Sequence, residues 1–421
     1  MARVVVYSMG YRGDVLPFVS VARAMATGGH EVRFVVPREF HPLLSGEPFR
    51  CIHSGTDFGP RVLDEHARYV ARWGNRLGGV MLPRLYFDRL TIPHLDVLFE
   101  VIDAEIESAE VVVSHPWAAL VSGPACQRRG VPSVVGDLFP MLVPSKDTAP
   151  PGLAGLGRWA NRPGWGLIRS PGMNRLASLG ALRSFRQRLG LSVDGWNIMD
   201  ARLSDALTVG LFSRHYQPPV PDWPPSYQVV GFTPWTGPQH EPIPEPVTSF
   251  LDAGEPPIVV TFGTSAATAN PQAFRRVAEA LDDQDTRGLF LTSTEDLAVR
   301  VRAEVAAYHG VWAFVPLAPL LDRAVGVVHS GAHGTNATAL MAGLPSAIRP
   351  SIIDQTWHAK RQEHLGTGVR VRGNDFGQAV DRLLYDQSMR ERATALAEKL
   401  AAEDGPLAAR LRIEEYLAGV S

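Results

Sequence analysis

The chain has 421 residues, 45% of them hydrophobic, which allows two or three domains with large cores. Its formal net charge of −2 argues against the polybasic field of a nucleic-acid or acidic-membrane binder, and its two cysteines, Cys51 and Cys126, cannot build a disulfide framework. The opening MARVVVYSMGYRGD reads as no signal peptide and no stretch has the roughly 20 apolar residues of a spanning helix, so the expectation is a cytoplasmic protein whose membrane contact is peripheral at most.

In chain order, ARVVVYSMG predicts a short buried strand and VLPFVSVARAMATGG a helix that stops at a glycine pair. HEVRFVVP, AEVVVSHP and VPSVVGD predict further strands, the last two separated by the helical WAALVSGPACQRRG. This alternation predicts a parallel sheet with helices on both faces. Residues 53–100 and 138–195 break the pattern with aromatic, Gly, Pro and Arg residues, as insertions near a binding site do. Proline crowds 218–246 and places a linker at 233–247, dividing a domain at 1–232 from one at 248–402. The second domain alternates again through PPIVVTFGTS, PQAFRRVAEALDD, RGLFLTS, VWAFVPL, AVGVVHSG, GTNATALMAGL and PSAIRPS. Residues 387–419 predict long helices, the segment 403–421 being expected to pack back on the first domain. Two doubly wound sheets would leave a cleft at the carboxyl ends of their strands, where ligands of such sheets bind.

Polar residues interrupt the second domain only where its strands stop. His329 ends AVGVVH, and Ser330–Gly334 forms a turn of little bulk before a helix that opens at Thr335. Such a turn exposes free N–H groups and the positive end of the helix dipole, an anion site suited to a diphosphate. A histidine there adds a donor or a charge. Asp354-Gln355 repeats the arrangement one unit later, and an acid beside an amide can hold vicinal hydroxyls. Each residue alone also fits a structural role, a hydrogen-bonded histidine or a helix cap.

The stretch HSGAHGTNATALMAGLPSAIRPSIIDQTWHA, residues 329–359, resembles the donor-binding signature of inverting GT-B nucleotide-sugar glycosyltransferases: His-x-Gly, Gly-Thr, a helix, Gly-x-Pro, Asp-Gln. GYRGDVLPFVSVARAMATGGHEVRFVVP is similar to the opening of sterol glucosyltransferases, glycopeptide-antibiotic glycosyltransferases and the rhamnolipid rhamnosyltransferase. QVVGF, FLDAGEPPIVVTFGT and FVPLAPLL extend the resemblance along nearly the whole chain. It implies an α/β GT-B fold of two Rossmann-like domains facing a central cleft. The N-terminal domain would bind the acceptor and the C-terminal one a UDP- or dTDP-sugar. That nucleotide sugar would be a co-substrate, with no cofactor and no metal. His329 would contact the diphosphate, with the turn from Gly331 through His333, Gly334 and Thr335 holding its oxygens. Gly263 and Thr264 would touch the phosphate, Phe314-Val315 would lie at the base, where Phe314 equally fits a core aromatic, and Asp354 and Gln355 would bind the sugar. Ala332 stands where a glycine is common, and His333 where the residue is often small.

Inverting transfer needs a base for the acceptor proton and stabilisation of the leaving diphosphate. Gly13-Asp14-Val15-Leu16-Pro17 puts Asp14 where many relatives carry a histidine, while the glycopeptide and sterol types carry the same aspartate. Asp14 is also a good helix cap. His115, ending VVVSH, is a candidate partner, since Asp–His pairs move protons, and also fits a structural residue before Pro116. Trp73, Tyr86, Phe87, Trp159 and Trp165 of the insertions offer apolar area to a lipid, sterol or polyketide acceptor. The Asp-x-Asp of DDQD at 282–285 reads as a solvated turn, and His30 as structural. A nucleotide-sugar epimerase or hydrolase of the same fold, and a non-catalytic nucleotide-sugar binding or partner-activating protein, remain as alternatives.

Overall fold

The computed structural model describes residues 1–421 apart from 60–61, 64, 67–68, 70–86, 88, 151–156, 177–179, 199–203, 205, 236, 238–241, 264–270, 374 and 421. The chain divides into two compact units, Met1–Pro238 with Glu403–Ser421, and Gln239–Ala402.

Unit 1 is built on a seven-stranded parallel sheet in the order β3-β2-β1-β4-β5-β6-β7. Its strands are β1 (Arg3–Tyr7), β2 (Glu31–Val36), β3 (Arg50–His53), β4 (Val111–Ser114), β5 (Ser133–Asp137), β6 (Leu207–Gly210) and β7 (Tyr227–Val229). β1 and β4 are valine runs because both faces of a central parallel strand are covered, and β-branched side chains suit that pleated surface. The helix Arg12–Thr27 covers one face with Val15, Phe18, Val19, Ala22 and Met25, all without exposed surface. The C-terminal helix Gly405–Val420 returns to this unit and adds Ala409 and Ile413 to the same core. It fits because residue 405 is glycine: a Cβ there would stand 2.1 Å from the Phe232 carbonyl oxygen.

Unit 2 carries a six-stranded parallel sheet in the order β10-β9-β8-β11-β12-β13. The strands are β8 (Ile258–Thr261), β9 (Gly288–Leu291), β10 (Gly310–Trp312), β11 (Gly326–His329), β12 (Ser346–Ile348) and β13 (Gly368–Arg370). Phe262, Phe274 and Phe290 interlock edge to face at 5.1 and 6.1 Å between centroids and fill one side.

In both sheets the direction of winding reverses once, between β1 and β4 in unit 1 and between β8 and β11 in unit 2. At such a switch point the following loops diverge and leave a crevice at the strand ends. The proline-rich stretch holds more order than its composition predicts. SYQVV contributes β7 at the sheet edge, where flanking prolines cost no ladder bond, and the helix Glu245–Asp252 opens inside 233–247 with Pro246 in its first turn.

Candidate active site

The first cluster sits at the unit 1 switch point. β1 ends at Tyr7, and the chain turns through Gly10 at φ +115. A Cβ at Gly10 would lie 2.6 Å from Asp14 Oδ2, so glycine lets the loop close on the carboxylate. Asp14 is the third residue of the 12–27 helix, and its Oδ2 accepts the Tyr11 N–H at 2.9 Å. On the adjacent strand end, the His115 N–H donates to the Tyr7 carbonyl at 3.0 Å. The Trp117 N–H donates to His115 Nδ1 at 3.3 Å, which places the ring proton on Nε2. Nε2 stands 3.6 Å from Asp14 Oδ1. This is ion-pair proximity rather than a hydrogen bond. His115 is buried edge-on against Phe18, 5.6 Å between centroids, whereas the Asp14 side chain keeps 20% of its surface. Asp14 is therefore the member of the pair open to a substrate.

The aromatic candidates divide. Phe87 has no exposed surface and packs edge-on against Trp117 at 5.1 Å, so it supports the His115 loop from behind and offers no area to an acceptor. Trp165 is likewise a packing residue, its Nε1–H donating to the Thr148 carbonyl at 2.9 Å. Both rings lie among the segments that insert around the sheet, and long-range packing has claimed them. Trp159 is 80% exposed. Trp73 and Tyr86 lie outside the described residues. Tyr11 and His66 join this cluster without a sequence signal of their own. The Tyr11 hydroxyl donates to the Leu63 carbonyl at 2.9 Å and meets the buried His66 Nδ1 at 3.1 Å, next to Asp14. No motif in the sequence marks His66.

The second cluster sits at the unit 2 switch point, where His329 pairs in register with Thr261 of β8. The Gly331 N–H donates to His329 Nδ1 at 3.0 Å, so the ring proton is on Nε2. That Nε2 is buried and has no hydrogen-bond partner among the described residues. Gly331 cannot also donate to a phosphate, which corrects its expected role. It is glycine for backbone reasons: φ is +89, and a Cβ would press on Ile348 Cγ2 at 2.9 Å and the Gln355 carbonyl oxygen at 3.1 Å. The helix His333–Met341 starts at once, so the N–H groups of Gly334 and Thr335 stand in its first turn, where no helical acceptor precedes them. Gly263, at φ +75, approaches from β8 with its Cβ position 3.9 Å from Ser330 Oγ. Thr264 lies outside the described residues.

Burial decides what the histidines can be. Desolvation lowers His329 to about 3 and His333 to about 4, and holds His358 well below its usual value, with repulsion from the other two histidines adding to the effect. All three are neutral at physiological pH. His329 thus offers an N–H donor and no charge, and the cationic alternative falls away. The His333 ring lies 5.7 Å from that of His358, between the 333–341 helix and the helix Ile353–Leu365. One turn further along each helix, Gln362 Nε2 donates to the buried Asn336 Oδ1 at 2.9 Å. The His333 side chain therefore belongs to a polar seam between two helices.

Gln355 caps its own helix: its Oε1 accepts the N–H of Ser351 at 2.8 Å and of Ile352 at 3.4 Å. Only its amide NH2 is left to meet a sugar. Asp354 is half-buried, and desolvation raises its carboxyl to about 6. Phe314 exposes 58% of its surface beyond β10. Val315 is buried among Leu320, Leu321 and Val327, so it is a core residue rather than a wall of a base pocket. His30, as expected, is structural: it accepts the Ala2 N–H at 3.1 Å and meets Glu414 at 2.9 Å.

Two parallel α/β units with polar groups at both switch points define the GT-B fold. Residues 298–415 match the family model described as the C-terminal domain of erythromycin biosynthesis protein CIII-like proteins. The chain is 27% identical over 442 residues to O-mycaminosyltylonolide 6-deoxyallosyltransferase of Streptomyces fradiae, covering 98% of this chain and 97% of that one. It is 26% identical over 428 residues to the vancomycin aglycone glucosyltransferase of Amycolatopsis orientalis, with 98% and 97% covered. Its fold is similar to that of the glycosyltransferase VinC, crystallised in complex with dTDP, at a TM-score of 0.70 and 15% identity over 99% of this chain and 100% of the other. The chain is thus similar to glycosyltransferases along nearly its whole length, and its fold is that of the GT-B group.

Proposed function

We propose that the chain transfers a sugar from a UDP- or dTDP-sugar to a hydroxyl of a hydrophobic natural-product acceptor, with inversion at the anomeric carbon. The observation that carries this reading is the buried Nε2–H of His329, which has no hydrogen-bond partner among the described residues and lies beside the first turn of the 333–341 helix. A donor left without an acceptor in a protein interior is costly, and an oxyanion is the group that satisfies it. Together with the N–H groups of Gly334 and Thr335 it makes a neutral, preorganised cradle for diphosphate oxygens.

In this account unit 2 holds the donor and unit 1 the acceptor. Asp14 takes the proton of the acceptor hydroxyl. The freed oxygen attacks the anomeric carbon from the face opposite the diphosphate, and the bond from that carbon to the diphosphate oxygen breaks. The charge that develops on the leaving group is received by the His329 Nε2–H and the helix N–H groups, so no metal is needed in this step. The pairing of His115 Nδ1 with the Trp117 N–H supports Asp14 as the base. With its proton on Nε2, His115 cannot accept one through that atom, and at 3.6 Å from Asp14 Oδ1 its N–H favours the carboxylate electrostatically. Asp354 accepts from the sugar hydroxyls and the Gln355 NH2 donates to them.

His329→Ala tests the cradle. Calorimetry should show nucleoside-diphosphate affinity falling by about tenfold or more, the loss expected for one hydrogen bond to a charged group. Unchanged affinity in a folded variant would remove His329 from the site.

A further inference from the structure

Tyr11 occupies the cap position of the 12–27 helix, where serine, threonine, aspartate or asparagine is the usual choice. A phenol ring is too long to fold back on the first turn, and the Asp14 N–H donates to the Tyr11 carbonyl at 2.9 Å instead. What the tyrosine brings is its hydroxyl. It donates to the Leu63 carbonyl at 2.9 Å and lies 3.1 Å from Nδ1 of His66. A phenol has one proton and a carbonyl can only accept, so that proton goes to Leu63 and His66 Nδ1–H is the donor of the second bond. The hydroxyl is thereby gripped from two sides by residues 52 and 55 positions further along the chain. His66 is 2% exposed, and its ring lies 6.4 Å from that of Tyr11.

At its main-chain end the same tyrosine holds Asp14, its N–H donating to Oδ2 at 2.9 Å. Gly10, at φ +115, leads into Tyr11, and a glycine there leaves the backbone free to turn. The place of the Tyr11 N–H is then set by what its side chain grips. The other carboxylate oxygen only approaches His115 Nε2, at 3.6 Å, so the aim of the carboxylate depends on Tyr11.

We infer that Tyr11 and His66 are positioning residues for Asp14. The series His66 Nδ1–H, Tyr11 hydroxyl, Leu63 carbonyl fixes the Tyr11 backbone, and the Tyr11 N–H fixes the carboxylate. The inference rests on Asp14 as the base and adds two side chains that act through it.

Two readouts on the full chain test it. Hydrogen exchange at the Tyr11 amide, followed by NMR with no ligand added, reads the grip on Asp14. Steady-state transfer from UDP-glucose or dTDP-glucose to a panel of polyketide and sterol alcohols, with products weighed by mass spectrometry, reads its consequence. Tyr11→Phe removes the hydroxyl and keeps the ring and the N–H, and His66→Leu removes the donor and keeps the bulk. Each should speed exchange at the Tyr11 amide about tenfold and lower kcat about tenfold at nearly unchanged KM for both substrates. The double variant should be no worse than either single one, because both break the same series. His66→Asn, whose amide nitrogen falls where Nδ1 was, should restore exchange and kcat. A residue that only stabilised the fold would shift the urea midpoint without this split between kcat and KM. Wild-type exchange in Tyr11→Phe, additive losses in the double variant, or no rescue by His66→Asn would each overturn the inference. Wild-type transfer by Asp14→Asn would overturn the base reading itself, and the exchange measurement, which needs no turnover, tells the two failures apart.

Discussion

At Asp354 the chemistry asked of the residue is tied to its titration. Desolvation raises this carboxyl to about 6, so it is ionised at pH 7.5 and largely protonated at pH 5. In the proposed site it would accept from sugar hydroxyls as a carboxylate, and once protonated it would lose part of that capacity. The KM for the nucleotide sugar should therefore rise as pH falls through 6, and Asp354→Asn should abolish this pH dependence. A donor KM that is flat from pH 7.5 to 5 in the wild type would remove Asp354 from the sugar site. His329 adds no titration in that window, being neutral down to about 3. Polar residues such as His329, Asp354 and Asp14 were legible in the sequence because they break apolar runs where strands stop. The commitments of their neighbours were not. Nothing local shows that the Gly331 N–H belongs to His329, that Gln355 Oε1 caps its own helix, or that Phe87 and Trp165 are swallowed by packing. Those outcomes depend on contacts made far along the chain.

Among the elements, the seam between the 333–341 and 353–365 helices couples stability to pH. His329 and His333 are lowered to about 3 and about 4 by burial, and His358 well below its ordinary value. In the unfolded chain each has its ordinary pKa of about 6.5. Below that pH the unfolded state binds protons that the folded state does not. Stability is thus intact above about 6.5 and is lost as pH falls toward 4, by up to about 1.4 kcal/mol per pH unit for each histidine. Asp354 works in the other direction. Its folded value is raised, so the penalty of its ionised burial is relieved as pH drops below 6. Three histidines outweigh one carboxyl. The urea midpoint should fall between pH 7 and 5, and His358→Gln, which removes one proton site, should make that fall shallower. An identical pH slope in the variant would show that His358 is not held neutral by the fold. The two helices themselves are readable from their spacing, but the pairing of His333 with His358 and Asn336 with Gln362 emerges only when they pack.

Across the chain, the alternation of strand and helix made the two doubly wound sheets legible, since buried parallel strands are short apolar runs and their crossovers are helices. Edge strand β7 was hidden by its prolines, and the Ala/Leu spacing of Gly405–Val420 shows a helix without showing that Ala409 and Ile413 complete the unit 1 core. Among the described residues no group of three or more His, Cys, Asp or Glu side chains is placed to hold a metal ion. In the proposed mechanism the helix N-terminus and His329 supply the stabilisation, so transfer is expected to persist in EDTA, and activity lost to chelation and restored by a divalent ion would refute that mechanism. The central claim is that a base in unit 1 acts on an acceptor while unit 2 holds the donor, and Asp14→Asn tests it most directly. Asparagine keeps the side-chain oxygen that caps Tyr11 and should leave the fold intact, but it takes no proton. Glycoside formation should be followed by mass spectrometry with UDP- and dTDP-sugars, beside calorimetry of the nucleoside diphosphate. The account predicts transfer reduced by about 10²–10⁴-fold at nearly unchanged nucleotide affinity. Wild-type turnover by Asp14→Asn, or a loss of nucleotide binding that matches the loss of rate, would contradict it.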